Sequence, residues 1–148
     1  MLLAAVGESI TRVTAFTSLL QPDLAPKDTA NATLRLSNGK SGTISLSFGT
    51  EFMNGFEIQI TTDKGVVKIL DKGVMVLKNG DADGTEQVIA KEFPYDNSLN
   101  REIEVFAQGI LTRKVEVRGM PQEALDDLKV IQAIIESGEE GGAVKLIR

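Results

Sequence analysis

The chain has 148 residues, 42% of them hydrophobic, and a net charge of −5 from 16 Lys plus Arg against 21 Asp plus Glu. That length can bury a real core and suits one domain over residues 1–148, while the acidic balance argues against nucleic-acid binding, which usually shows a basic face. The absence of Cys and His excludes disulfides and thiol chemistry and removes the commonest general base and metal ligand.

No apolar run approaches the roughly 18 residues of a membrane span. "MLLAAVG" at the start is too short for a signal-peptide core and has no basic flank, so a cytoplasmic location is expected. Residues Ile10 to Leu20 mix β-branched and apolar types and predict a first strand. "QPDLAPKD" has two prolines and reads as a loop.

The period then becomes two. Ala30, Ala32, Leu34 and Leu36 alternate with Thr29, Asn31, Thr33 and Arg35, and Asn38-Gly39 signals a turn. Ile44, Leu46 and Phe48 alternate with Thr43, Ser45 and Ser47; Phe56, Ile58 and Ile60 alternate with Glu57, Gln59 and Thr61. Strands with one apolar and one polar face predict an antiparallel sheet covered on one side. Further strands follow at "VVKIL", "VMVLK" and "TEQVIAKEF", with turns at Gly65, Gly73, Gly80 and Gly84.

After Tyr95 the period turns helical. Ser98 can cap a helix carrying Leu99, Ile103, Phe106 and Ile110 on one face. A closing helix starts at Pro121, a favoured first helical position, with Glu123, Asp126 and Asp127 in its early turns. Leu125, Leu128, Ile131 and Ile135 read as its buried stripe, Gly138 as its stop, and "AVKLI" as a last short strand. The predicted class is α+β: one open-faced, mostly antiparallel sheet of six or more strands with its helices packed on one face. Leu34, Leu36, Ile44, Leu46, Phe48, Ile58 and Ile60 are expected to face Phe106, Leu125, Leu128 and Ile135.

Short motifs carry little chemistry. "NGDADGTEQVIA" places Asn79, Asp81, Asp83 and Gly84 like the start of an EF-hand loop, but Ala90 stands where the bidentate Glu is needed. "GEEGG" follows a helix and lacks the spacing of a phosphate loop, and Asn31-Ala32-Thr33 fits a glycosylation pattern common by chance. Glu102 and Glu104 read as solvated. Glu51, Arg113 and Lys114 lie between elements, where functional groups concentrate. No catalytic constellation, cofactor site or metal site is expected from the residues.

The order of features is more telling. "DTANATLRLSNGKSGTISLSF", "FEIQITTDKGVVKI", "SLNREIEVFAQGI" and "PQEALDDLKVIQAIIESGEEGGAVKL" together resemble the C-terminal domain of the glucose-fructose oxidoreductase / inositol dehydrogenase (Gfo/Idh/MocA) family over nearly the whole chain. The resemblance implies a partner N-terminal Rossmann domain that binds NAD or NADP, absent here, and a C-terminal sheet that walls the substrate pocket and joins subunits. It implies action on a sugar, polyol or related hydroxyl compound. The family's catalytic Lys, in a Glu-Lys-Pro motif, and its catalytic His have no counterpart here, because this sequence has no Glu-Lys-Pro and no His. The chain is therefore expected to be a C-terminal fragment, inactive alone, with its catalytic His upstream of Met1. A stand-alone, non-catalytic binding module on the same fold is the alternative.

Substrate contacts are expected from loops, at Glu51, Phe52, Asn54, Tyr95 and Asn97. The polar sheet face of Asn31, Thr33, Arg35, Thr43, Ser45, Ser47, Glu57, Gln59 and Thr61 is expected to be the interface of a homodimer or higher homo-oligomer.

Overall fold

A computed structural model describes residues 7–51, 55–71, 73–78, 87–92, 98–114 and 120–147, with backbone alone at 87–89 and 98. The chain divides into two compact units, Met1–Phe52 with Val117–Arg148, and Met53–Glu116.

The first unit holds β1 (Ile10–Ser18), β2 (Thr29–Leu36), β3 (Ser41–Ser47), the long helix α2 (Pro121–Glu139) and the two-residue β8 (Lys145–Leu146). Its antiparallel sheet has the order β3-β2-β1-β8. Alternation sets the faces as the sequence predicts. Val13, Ala15 and Thr17 of β1 pair with Leu34, Ala32 and Ala30 of β2, and these three pair with Gly42, Ile44 and Leu46 of β3. The core is Ile10, Val13, Ala15, Ala32, Leu34, Val130, Ala133 and Ile134.

The helix stripe is not the expected one. α2 buries Val130, Ala133, Ile134 and Ser137, whereas Leu125, Leu128, Ile131 and Ile135 are 43–60% exposed. At 3.6 residues per turn the two sets lie on nearly opposite sides of the helix. The sheet explains the choice. Its buried face alternates large Val13 and Leu34 with small Ala15 and Ala32, so the helix side that carries Ala133 and Ser137 beside Val130 and Ile134 can approach closely where the sheet is small and fill the space beside it. Gly138 belongs to that contact. A Cβ there would lie 2.6 Å from Thr17 Cγ2 and closer still to Thr17 Oγ1. The helix continues past it, and the stop falls at Gly141 and Gly142, both at positive φ, with the Gly142 N–H donating to Ser137 O at 2.8 Å as a Schellman turn does.

Leu46 is 49% and Phe48 79% exposed, against expectation. One helix about 10 Å wide covers about two strands spaced 4.8 Å apart. α2 lies over β1 and β2, so the edge strand β3 is left half-covered.

The second unit holds β4 (Glu57–Thr62), β5 (Gly65–Leu70), β6 (Gly73–Lys78), β7 (Gln87–Glu92) and helix α1 (Ser98–Thr112). Its sheet is an antiparallel meander in chain order, with Ile58 and Ile60 half-buried. The β4–β5 turn is tied by the Thr62 hydroxyl, which donates to Gly65 O at 3.1 Å and accepts from the Lys64 N–H. On α1, Leu99, Ile103, Phe106 and Ile110 are all more than half exposed, so the stripe expected to be buried, Phe106 included, is not. Among the described residues the strands fall into two four-stranded sheets, where one sheet of six or more strands was expected. The division falls between β3 and β4. The acidic motif at residues 79–86 lies outside the described residues.

Candidate functional site

The face of the first sheet opposite α2 is uncovered and arranged in cross-strand rows. Arg12, Arg35 and Ser41 form one row; Thr14, Thr33 and Thr43 the next; Phe16, Asn31 and Ser45 a third; Ser18, Thr29 and Ser47 the last. Six of the residues expected at an interface, Asn31, Thr33, Arg35, Thr43, Ser45 and Ser47, share this face. The other three, Glu57, Gln59 and Thr61, alternate along β4 in the second unit. There Glu57 pairs with Lys68 at 2.9 Å, and the Gln59 amide donates to the Thr61 hydroxyl.

Within the rows the polar groups satisfy one another. Ser45 Oγ donates to Asn31 Oδ1 at 2.8 Å, and the Thr29 and Ser47 hydroxyls share a bond of 2.8 Å. Phe16 lies 65% exposed in the third row, its ring close against Gly142. The β1 members of the face, Arg12, Thr14, Phe16 and Ser18, escape sequence reading. Polar Thr17 faces inward and apolar Phe16 outward, so the residue types along β1 do not mark its faces as they do in β2 and β3.

At the far end of the rows, Asp28 organises the loop between β1 and β2. It is 5% exposed and accepts the backbone N–H groups of Leu20 and Gln21 and the Thr29 hydroxyl at 2.8–3.1 Å. Burial pushes its carboxyl pKa up, but the Gln21 and Leu20 amides and the Thr29 hydroxyl outweigh burial and hold it below the ordinary value. The β3 exit is packed against the same carboxylate, since a Cβ on Gly49 would overlap Asp28. This places exposed Glu51 just beyond the anchored segment. Phe52, Asn54, Tyr95 and Asn97, expected beside it, lie outside the described residues.

Other chemistry is sparse. A shallow groove of about 360 Å³ runs along α1 between Arg101, Glu104, Gln108, Thr112 and Lys114. Among the described residues no group of His, Cys, Asp or Glu could hold a metal ion, and no helix is long and apolar enough to cross a membrane. Nor do the glycines near the chain end make a pyrophosphate cradle. Gly138 is filled by Thr17, and Gly141 and Gly142 turn the chain towards β8.

An α+β domain with an antiparallel sheet, one face under a helix and the other open, is the class these elements define. The profile of the oxidoreductase family's C-terminal alpha/beta domain matches residues 2–146, and the chain belongs to that family, Gfo/Idh/MocA, as its C-terminal domain. It is 35% identical over its full length to dehydrogenase FPY6 of Fusarium mangiferae, of which it covers 42%. An oxidoreductase of Thermotoga maritima superposes with a TM-score of 0.72 at 26% identity, over 94% of this chain and 38% of that one. A levoglucosan dehydrogenase, solved with NADH and L-sorbose, shares the fold at TM-score 0.76 and 17% identity, over 95% of this chain and 45% of its own. The chain thus spans less than half the length of the relatives it matches.

Proposed function

We propose that this chain is the substrate-walling and subunit-joining half of an NAD(P)-dependent oxidoreductase acting on a sugar, polyol or related hydroxyl compound. The carrying observation is the family match over residues 2–146 in a chain covering 42% of a dehydrogenase relative. That proportion leaves room in the relatives for a separate dinucleotide-binding half. The sugar-bound, NADH-bound levoglucosan dehydrogenase supports the substrate and cofactor classes.

The division of labour follows from chemistry. Hydride transfer needs a held nicotinamide and a group that moves the hydroxyl proton, and a Rossmann half would supply both. This chain would contribute pocket walls from Glu51, Phe52, Asn54, Tyr95 and Asn97. It would join a second subunit through Asn31, Thr33, Arg35, Thr43, Ser45 and Ser47, with Glu57, Gln59 and Thr61 of β4 as the further contact. Short hydroxyl and amide groups already bonded in pairs lose little when water is removed, which favours burial of that face. A cytoplasmic location fits a soluble nicotinamide enzyme. The test is NAD(P)H formation over a panel of aldoses and polyols. Turnover by the whole gene product and none by the 148-residue chain is expected; turnover by the chain alone overturns the proposal.

A further inference from the structure

Asn precedes Gly three times in the chain, at Asn38, Asn54 and Asn79; Asn54 and Asn79 lie outside the described residues. Asn38 stands in the turn between β2 and β3, where residues 37–40 are all exposed. Gly39 holds a φ of 83°. Its N–H donates to Leu36 O at 3.0 Å, and the Leu36 N–H donates to Lys40 O at 2.8 Å. Ser37, Asn38 and Gly39 thus form a short hairpin loop that needs glycine at its last position. The Asn38 side chain turns back on this loop, because the Lys40 N–H donates to Asn38 Oδ1 at 2.9 Å. Among the described residues no partner holds the Asn38 amide nitrogen or the Arg35 guanidinium. That guanidinium reaches to 4.0 Å of where a Gly39 Cβ would stand.

These groups suit one reaction, attack of the Gly39 peptide nitrogen on Asn38 Cγ to close a cyclic imide. Glycine offers that nitrogen with no side chain to obstruct the approach. The Lys40 N–H draws electron density from the amide carbonyl and meets the negative charge that develops on Oδ1, as an oxyanion donor does. The Arg35 charge favours the deprotonated form of the attacking nitrogen. The Gly39 N–H must first leave Leu36 O, and a solvent-exposed turn bond opens at small cost. Water is the one co-reactant. The nitrogen gives its proton to solvent, the N–Cγ bond forms, the Cγ–Nδ2 bond breaks, and Nδ2 leaves as ammonia with a proton from solvent. Water then opens the imide. Breaking its N–Cγ bond yields an aspartate at position 38; breaking its bond to the main-chain carbonyl carbon yields an isoaspartate. Nothing is oxidised or reduced. Either product sets a carboxylate in the turn beside Arg35 and takes the net charge one unit below −5.

We propose that the Asn38–Gly39 turn is a site of spontaneous deamidation in the folded chain, one that the turn and Arg35 promote rather than protect. The test is peptide mapping by mass spectrometry of the 148-residue chain, held at mildly alkaline pH either folded in buffer or unfolded in urea. Conversion at Asn38 is expected to be at least as fast folded as unfolded. In the folded state Arg35→Gln is expected to slow it at least about threefold and Arg35→Lys to keep most of the rate, while in urea the two variants differ little. Asn38→Ser supplies the blank for the mass shift. Should Arg35→Gln misfold by circular dichroism, added salt screens the same charge in the unaltered chain and is expected to slow its conversion. Conversion several-fold slower in the folded chain than in urea overturns the proposal. Equal folded rates for Arg35→Gln and the unaltered chain overturn the part assigned to Arg35.

Discussion

Ser137 and Gly138 decide how closely α2 lies on β1. Ser137 is fully buried; its hydroxyl accepts the Ala15 N–H at 2.8 Å and donates to Ala143 O at 2.6 Å. β8 pairs with β1 only at Arg12 and Val13, so beyond that point the hydroxyl completes the strand edge. Ser137→Ala orphans a buried N–H and is expected to cost about 1–3 kcal/mol in chemical denaturation; an unchanged midpoint contradicts the role. Gly138→Ala drives a methyl into Thr17 and should cost a similar 1–3 kcal/mol. Thr17 Oγ1 is buried without a partner, so Thr17→Ala should be near neutral alone and should recover part of the Gly138→Ala loss.

Asp28 belongs at the same scale. Its pKa is lowered in the folded chain, so its contribution is present above the unfolded value near 3.8 and is lost as pH falls through the folded pKa. Denaturation midpoints measured down through acid pH should show this loss in the unaltered chain. Asp28→Asn should start less stable and show a smaller loss. Equal acid sensitivity in both would contradict the carboxylate's role.

For the elements, α2 offers the clearest contrast. Ile134 is 5% exposed and Leu128 60%. Ile134→Ala should therefore cost about 2–5 kcal/mol, and Leu128→Ala should stay within about 1 kcal/mol in the isolated chain. Equal losses would mean that the outer stripe is covered after all. The same contrast marks what the sequence could reveal. Strand alternation was legible because β2 and β3 carry a strict period of two, and Pro121 correctly marked a helix start. The buried side of α2 was not legible, since counting bulk favours Leu125 and Leu128, while the partner surface around Ala15 and Ala32 favours the side that carries Ala133 and Ser137 with Val130 and Ile134. That preference exists only once the sheet is assembled. Gly138 misled for the same reason: a glycine that ends a helix and one that admits a threonine look alike in one dimension. Glu51 could be placed on a loop; its neighbours Phe52 and Asn54 lie outside the described residues.

At the scale of the whole molecule, the family match covers residues 2–146. Among the described residues, no glycine lies in a strand-to-helix turn of the kind that cradles a pyrophosphate. The division proposed between a dinucleotide-binding half and this chain makes one demand above all others. Calorimetric titration of NAD and of NADP into the purified 148-residue chain tests it most directly. No binding heat is expected for either dinucleotide up to about 1 mM, the weak end of ordinary specific affinity. Saturable binding of either at micromolar concentration would contradict it.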